Sequence, residues 1–151
     1  MQILVDADAL PNVIKDILFR AVKRLRILLT MVANQYVTVE KSKYIKSIVV
    51  SSGPDVADDR IVELVQQGDL VVTADIPLAD RVVEKGAYAI DPRGDLYTEE
   101  NIKDRLATRN LMNELRNGDV IEGGPPGFSR KDRQAFANQL SRFLTKHCKD
   151  G

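Results

Sequence analysis

Continuous apolar runs alternate with amphipathic segments along residues 2–90 of the chain. The runs predict strands at residues 2–6, within 26–33, and at 48–50, 70–73 and 87–90. Apolar residues at helical spacing predict helices between them: one from Pro11 to Leu25, one over 57–67 and one over 76–85, the last closed by Gly86. Strands that are apolar throughout, separated by helices, are typical of a parallel sheet covered on both faces. We therefore predict a three-layer α/β fold.

The remainder of the chain predicts two more helices. Thr98 is the expected N-cap of a helix over 99–116, and Ser129, followed by Asp132, is that of a helix over 130–146. The glycine- and proline-rich stretch 118–127 between them matches no phosphate-binding loop and is interpreted as a plain connection. Tyr36, Val37 and Val39 suggest a short edge segment. Since no linker divides the 151 residues, a single domain is expected.

Composition excludes several classes of protein. Lys and Arg total 22, as do Asp and Glu, so no overall basic field attracts nucleic acid, and any such binding needs a local patch. The candidate basic residues are Lys41, Lys43, Lys46, Arg130, Lys131 and Arg133. The single cysteine, Cys148, excludes an internal disulfide and a cysteine-rich zinc site. With no membrane-spanning run or signal peptide in the sequence, we expect a cytoplasmic protein without membrane association.

Acidic residues follow the predicted strands at their carboxyl ends, where parallel sheets form their binding sites. They are Asp6 and Asp8 after the first strand, Asp55, Asp58 and Asp59 at the start of the second helix, Asp75 and Asp80 after the fourth strand, and Asp91 after the fifth. Each has a structural alternative, since aspartate caps helices, favours their first turn and opens turns. The Asp6–Asp8 pair is the hardest to explain in this way, although Asp8 is itself a possible cap. Alternate residues of a strand share one face, so we expect the two carboxylates to repel each other.

Clustered carboxylates without His or Cys suit Mg²⁺ or Mn²⁺. Such ions polarise a phosphoryl oxygen and lower the pKa of a bound water, so metal-assisted phosphodiester cleavage is the chemistry that this pattern favours. Ser51, Ser52 and Thr73 are small hydroxyls near the same rim that can orient water or phosphate. The only histidine, His147, is remote in sequence, which disfavours a histidine-based triad.

Several motifs together resemble the YaiI/YqxD family of uncharacterised bacterial proteins. They lie at residues 5–9, 53–62, 68–79, 91–94, 109–112, 123–125 and 136–138, and so cover nearly the whole chain. That family is grouped with PIN-like domains, which resemble metal-dependent 5′ nucleases. The resemblance implies a PIN-like fold in which acidic residues at the strand ends hold a divalent metal and cleave RNA or DNA.

Carried over by position, the resemblance implies a metal site drawn from Asp6, Asp8, Asp58, Asp59 and Asp75, with Asp55 and Asp80 as second choices. The family usually has Cys-Pro after its Asp-Ala-Asp-Ala motif, whereas this chain has Leu10 before Pro11. A thiol at that position is therefore not essential to this protein.

Three functions remain open at this point. The first is an Mg²⁺- or Mn²⁺-dependent nuclease acting on RNA, with Asp6, Asp58 and Asp75 as metal ligands and Asp8 or Asp59 positioning or deprotonating water. The second is a non-catalytic module on a nuclease-like fold that binds nucleic acid or another partner. The third is a haloacid-dehalogenase-type phosphatase, because Asp6-Ala7-Asp8 mimics its Asp-x-Asp motif. Leu10 stands where that motif normally has Thr or Val.

Overall fold

The structure is a computed structural model that describes residues 1–8, 10–35, 42–53, 55–117 and 129–147. In these ranges a six-stranded sheet has the order β3-β2-β1-β4-β5-β6. The strands are β1 (Gln2–Asp6), β2 (Leu28–Ala33), β3 (Ile45–Val49), β4 (Leu70–Val72), β5 (Tyr88–Ile90) and β6 (Leu96–Tyr97). All neighbouring pairs are parallel except β5 and β6, which pair antiparallel.

Helices cover both faces of the sheet, as predicted. They are α1 (Asn12–Leu25), α2 (Val56–Leu64), α3 (Ile76–Glu84), α4 (Ile102–Asn117) and α5 (Arg130–His147). One core lies between the sheet and α1 and α5, and the other lies between the sheet and α2, α3 and α4. Adjacent residues of β1 point into opposite cores, Ile3 and Val5 into the first and Leu4 into the second. A strand buried on both sides reads as a continuous apolar run, which confirms the three-layer α/β prediction.

The strand β6 was missed, because two residues are too short to show a period. It is defined by its pairing with β5, in which Ala89 lies opposite Tyr97. The predicted segments at 36–39 and 118–127, together with Lys41 and Cys148, lie outside the described residues. Within the described ranges, none of the helices combines the length and apolar character needed to cross a membrane.

The predicted helix starts had mixed outcomes. At α5, the Asp132 amide donates to Ser129 Oγ at 3.2 Å, and the Ser129 amide donates to Asp132 Oδ2 at 3.0 Å, so the predicted reciprocal cap is confirmed. The prediction for Thr98 was wrong. Its amide donates to Asn101 Oδ1 at 2.9 Å, and α4 begins only at Ile102, because residues 98–101 first form a turn closed by the Thr98 carbonyl.

The strand order reverses direction at the centre of the sheet. The chain moves from β1 outward through β2 to β3, and then crosses back to β4 on the other side of β1. The connections that leave the carboxyl ends of β1 and β4 therefore diverge to opposite faces. A crevice opens at such a point, and in open α/β sheets it is where ligands bind.

Candidate active site

A buried threonine connects the two strand ends at this crevice. Thr73, which is 1% exposed, follows β4 directly. Its hydroxyl donates to Asp6 Oδ2 at 3.0 Å and accepts a hydrogen bond from the Asp75 amide, also at 3.0 Å. Thr73 therefore fixes the carboxylate of Asp6 relative to the backbone that carries Asp75.

Asp75 has a structural role in addition to its place at the crevice. Its Oδ1 accepts a hydrogen bond from the Leu78 amide at 3.2 Å, which caps the first turn of α3. The predicted capping function is thus confirmed. One carboxylate oxygen of Asp75 forms the cap. The negative charge of the same carboxylate contributes to the raised pKa values of Asp6 and Asp58.

Asp58 enters the same site from α2. Burial raises the pKa of Asp58 to about 6, and the negative charges of Asp75, Asp6 and Asp55 add to the shift. A hydrogen-bonding interaction with Asp75 also favours the protonated form of Asp58. Like charges brought together in a partly dry site hold protons more tightly, which is what distinguishes this group from a solvated acidic surface.

The pKa of Asp6 is also raised by burial and by neighbouring carboxylates. Burial raises the pKa of Asp6, the hydrogen bond from Thr73 opposes that shift, and the charges of Asp8 and Asp75 increase it. Asp6, Asp58 and Asp75, the three predicted metal ligands, are therefore brought into one electrostatic cluster, which we call the acidic cluster. Asp8 and Asp55 flank it.

The acidic cluster differs from the buried carboxylate that serves only structure. Asp69 directly precedes β4, at the opposite end of the strands from the acidic cluster, and is 4% exposed. It accepts hydrogen bonds from the Gln2 amide, Gln2 Nε2 and the Gln66 amide, at 2.9–3.2 Å. These donors compensate the charge of Asp69. The charged groups that act on Asp58 are instead the carboxylates of Asp75, Asp6 and Asp55, which add negative charge rather than compensate it.

The flanking residues have different local environments. Asp8 is exposed, and its Oδ1 accepts a hydrogen bond from the Asn34 amide at 2.9 Å, which ties the loop after β1 to the end of β2. Asp55 precedes α2 in the left-handed region, with φ of 63°, and makes no side-chain capping bond. Asp55 thus occupies the predicted N-cap position of α2, but its side chain does not form the cap.

Other predicted residues are not brought to the acidic cluster. Asp59 Oδ1 pairs with Arg81 Nη1 at 3.0 Å, and Asp80 Oδ1 pairs with Lys103 Nζ at 2.7 Å. Ser51 and Ser52 are exposed, and no hydrogen bond joins either hydroxyl to these carboxylates in the described part of the chain. Asp91 forms its predicted turn, since its Oδ1 accepts from the Arg93 amide at 2.7 Å.

The predicted basic residues lie in two separate places. Arg130, Lys131 and Arg133 are exposed in the first turn of α5. Lys43 and Lys46 are exposed near β3, at one edge of the sheet, where the Lys43 ammonium lies 5.3 Å from the centre of the Tyr44 ring. The basic residues at α5 and those at β3 therefore belong to two different elements of the fold.

The acidic cluster fits a hard cation in its donor chemistry, because it offers oxygen ligands and excess negative charge. Its side chains are not assembled around one point. Across the described ranges, no three His, Cys, Asp or Glu side chains are arranged to hold one metal ion together. Asp6 and Asp75 each commit one oxygen to a hydrogen bond, with Thr73 and with the Leu78 amide. Their carboxylates would have to rotate to share an ion.

The raised pKa of Asp58 predicts how stability depends on pH. The folded-state pKa of about 6 exceeds the ordinary value of 3.8, so the folded protein binds this proton more tightly than the unfolded chain. The contribution is therefore fully present below about pH 4 and is lost as pH rises through about 6. We expect Asp58→Asn to raise the free energy of unfolding at about pH 7.5 by about 1 kcal/mol, a value reduced for screening by water.

Urea unfolding at about pH 4 and about pH 7.5 measures this effect. The free energy of unfolding of the wild type should fall relative to that of Asp58→Asn between the two values. Glu63→Gln is the matched control, because Glu63 lies on the same helix in an exposed pair with Arg60. If the free energy of unfolding changes equally with pH in the wild type and in Asp58→Asn, the raised pKa of Asp58 is wrong.

Comparison with known sequences identifies the family. Residues 4–146 match the family described as "Uncharacterized BCR, YaiI/YqxD family". The chain belongs to the YaiI/YqxD family. A UPF0178 protein of Burkholderia ambifaria is 58% identical over 149 residues, which cover 99% of each chain. A UPF0178 protein of Maridesulfovibrio salexigens is 57% identical over 146 residues, or 97% of each chain. No solved structure matches the chain.

This membership bears out the resemblance to the YaiI/YqxD family that the sequence motifs carry. The matched region spans β1, β4 and α2, the elements that supply Asp6, Asp75 and Asp58. The descriptions of the family and of its UPF0178 relatives give no activity, and membership of a family does not by itself define a function.

Proposed function

We propose that this YaiI/YqxD protein is a divalent-metal-dependent nuclease of PIN-like type that acts on RNA in the cytoplasm. The convergence of Asp6, Asp58 and Asp75 at the point where the strand order reverses carries the proposal. Three carboxylates from separate elements meet there, and no cationic side chain is among the causes of the pKa shifts of Asp6 and Asp58. Burial raises the pKa values of Asp6 and Asp58 most, and a divalent cation would relieve the repulsion between carboxylates that adds to this rise.

Each residue has a separate task in this proposal. Asp6, Asp58 and Asp75 would hold Mg²⁺ or Mn²⁺, which supplies Lewis-acid activation of a phosphodiester and of water when bound. Thr73 orients Asp6 through the hydrogen bond of 3.0 Å. Asp8 is exposed at the rim, where its carboxylate can orient a water molecule. Asp59 is left out of this set, because its side chain pairs with Arg81.

Asp58 also suits proton transfer. Because its pKa is about 6, the free carboxylate is populated near neutral pH and still accepts a proton readily. Groups whose pKa lies near the working pH are effective acids and bases. In the free protein, before a cation binds, Asp58 can therefore exchange a proton with water.

One observation favours the alternative of a non-catalytic binding module. The absence of a three-ligand arrangement in the described residues is what such a module would show. For the phosphatase alternative, Asp6 would have to be a free nucleophile. The Thr73 hydroxyl donates a hydrogen bond to one of the Asp6 oxygens, which weakens that oxygen as a nucleophile.

Cleavage of labelled single-stranded RNA tests the proposal. Purified protein should cleave RNA with millimolar Mn²⁺ and lose that activity in EDTA. Binding of RNA without turnover, at every divalent metal concentration, would replace the nuclease with the binding module. Release of phosphate from a monoester together with a trapped phospho-aspartate would favour the phosphatase.

A further inference from the structure

A groove runs between α1 and α5 on the face of the sheet opposite α2 and α3. Its volume is about 520 Å³. Apolar side chains from both helices form its floor, including Val13, Ile17, Leu140 and Leu144. Cavities of a few hundred Å³ accommodate groups of the size of a nucleotide.

Cations dominate the charge of this groove. Arg20 and Arg24 line it from consecutive turns of α1, and Arg133 lines it from α5. Asp16 is the one acidic residue among the lining side chains, so the local charge is positive in a chain whose formal net charge is zero. In the described part of the chain, none of the three guanidinium groups forms an ion pair with a carboxylate.

This arrangement points to an anionic ligand with flat apolar parts. Arg20 and Arg24 are four residues apart, so their charges repel across one turn of the helix. Guanidinium groups bind phosphate oxygens in a bidentate manner and stack on aromatic rings. An apolar floor beside such groups suits nucleobases, and the cations suit the phosphates that join them.

One end of the groove lies near the carboxyl ends of the strands, where the acidic cluster stands. The helix α1 begins shortly after Asp8, and Arg133 lies in the first turn of α5. Asp132 ties that turn to Arg93, just beyond β5, with Nε and Oδ2 3.9 Å apart. Arg24, in the last turn of α1, marks the distant end of the groove.

We propose that the α1–α5 groove binds a segment of single-stranded RNA and leads the strand toward the acidic cluster. The identity of the polymer rests on the proposed function. The phosphates lie against Arg20, Arg24 and Arg133, and bases contact the apolar floor. Arg133 was among the residues predicted to bind nucleic acid, whereas Arg20 and Arg24 join it only through the packing of the helices.

Binding of a fluorescent single-stranded RNA in EDTA tests the groove apart from catalysis. The variant Arg20→Gln/Arg24→Gln/Arg133→Gln should bind at least about tenfold more weakly than the wild type. The slope of log K against log salt should lose about 2, since each phosphate contact on single strands contributes about 0.7. Thermal unfolding shows that the variant is folded, and Arg24→Gln alone provides a milder change.

The control is Lys15→Gln/Arg142→Gln/Lys146→Gln, which removes the same charge from α1 and α5 outside the groove. Its affinity should stay within about twofold of the wild type, as expected for surface charges away from the strand. Equal losses of affinity in both triple variants, or unchanged binding in the groove variant, would overturn the proposal. Adenosine monophosphate binding as tightly as the RNA would overturn it as well.

The groove and the nuclease can fail separately. RNA binding through the groove without cleavage would refute only the nuclease. Metal-dependent cleavage that does not need the groove would refute only the groove.

Discussion

Asp6→Asn is expected to reduce Mn²⁺-dependent RNA cleavage by about 100-fold or more. Loss of an outer partner of a metal site already costs 10–100-fold, and loss of a ligand should exceed that. The amide oxygen of asparagine can still accept the hydrogen bond from Thr73, so the fold around β1 should be preserved. The comparison of initial rates at saturating Mn²⁺ measures the effect, and Asp58→Asn should behave in the same way.

Glu63→Gln is again the control, because it removes an exposed carboxylate from α2 without touching the acidic cluster. It should retain the wild-type rate. If Asp6→Asn cleaves as fast as the wild type after the same purification, the activity comes from a contaminant and the proposed nuclease is wrong. Thermal unfolding of each variant separates loss of chemistry from loss of structure.

Gly94→Ala is expected to destabilise the protein by about 3 kcal/mol or more, combining backbone strain with a steric clash. Gly94 has a φ of +101°, a conformation that L residues rarely adopt. A Cβ at this position would lie 2.7 Å from the carbonyl carbon of Ala135 and 2.9 Å from its oxygen. Since these are backbone atoms of α5, the helix must move away from the turn before β6. Urea unfolding measures the loss.

Gly68→Ala separates the clash from the strain. Gly68 has a similar φ of +88°, but a Cβ there would meet nothing within 4 Å. We expect this variant to cost only about 1 kcal/mol, the strain of the left-handed backbone alone. Equal costs for the two variants would show that α5 does not pack against Gly94 as closely as the structure indicates.

The sheet could be predicted where burial on both faces leaves a continuous apolar run, as in β1 and β4. The sequence does not reveal that β4 lies beside β1, since that neighbourhood depends on the crossover through α2. The two-residue β6 was invisible because its pairing with β5 is a tertiary contact. Helix starts were predictable where one local motif decides them, as at Ser129, and not where a turn competes, as at Thr98.

The acidic cluster could be predicted only in part, for a geometric reason. Asp58 and Asp59 are neighbours in sequence, but successive residues of a helix point about 100° apart. Asp58 faces the crevice and Asp59 faces Arg81. Sequence spacing cannot decide between them unless the packing face of α2 is already known. The basic groove escaped prediction for a similar reason, since Arg20 and Arg24 meet Arg133 only when α1 and α5 pack side by side.

A crystal of the protein soaked in millimolar Mn²⁺ tests the central claim most directly. An anomalous difference map should show a Mn²⁺ peak bound by the carboxylates of Asp6, Asp58 and Asp75. The same soak of Asp58→Asn should lose most of that peak. If the acidic cluster shows no anomalous density after this soak, or if Mn²⁺ binds only elsewhere on the chain, the proposed metal site is wrong.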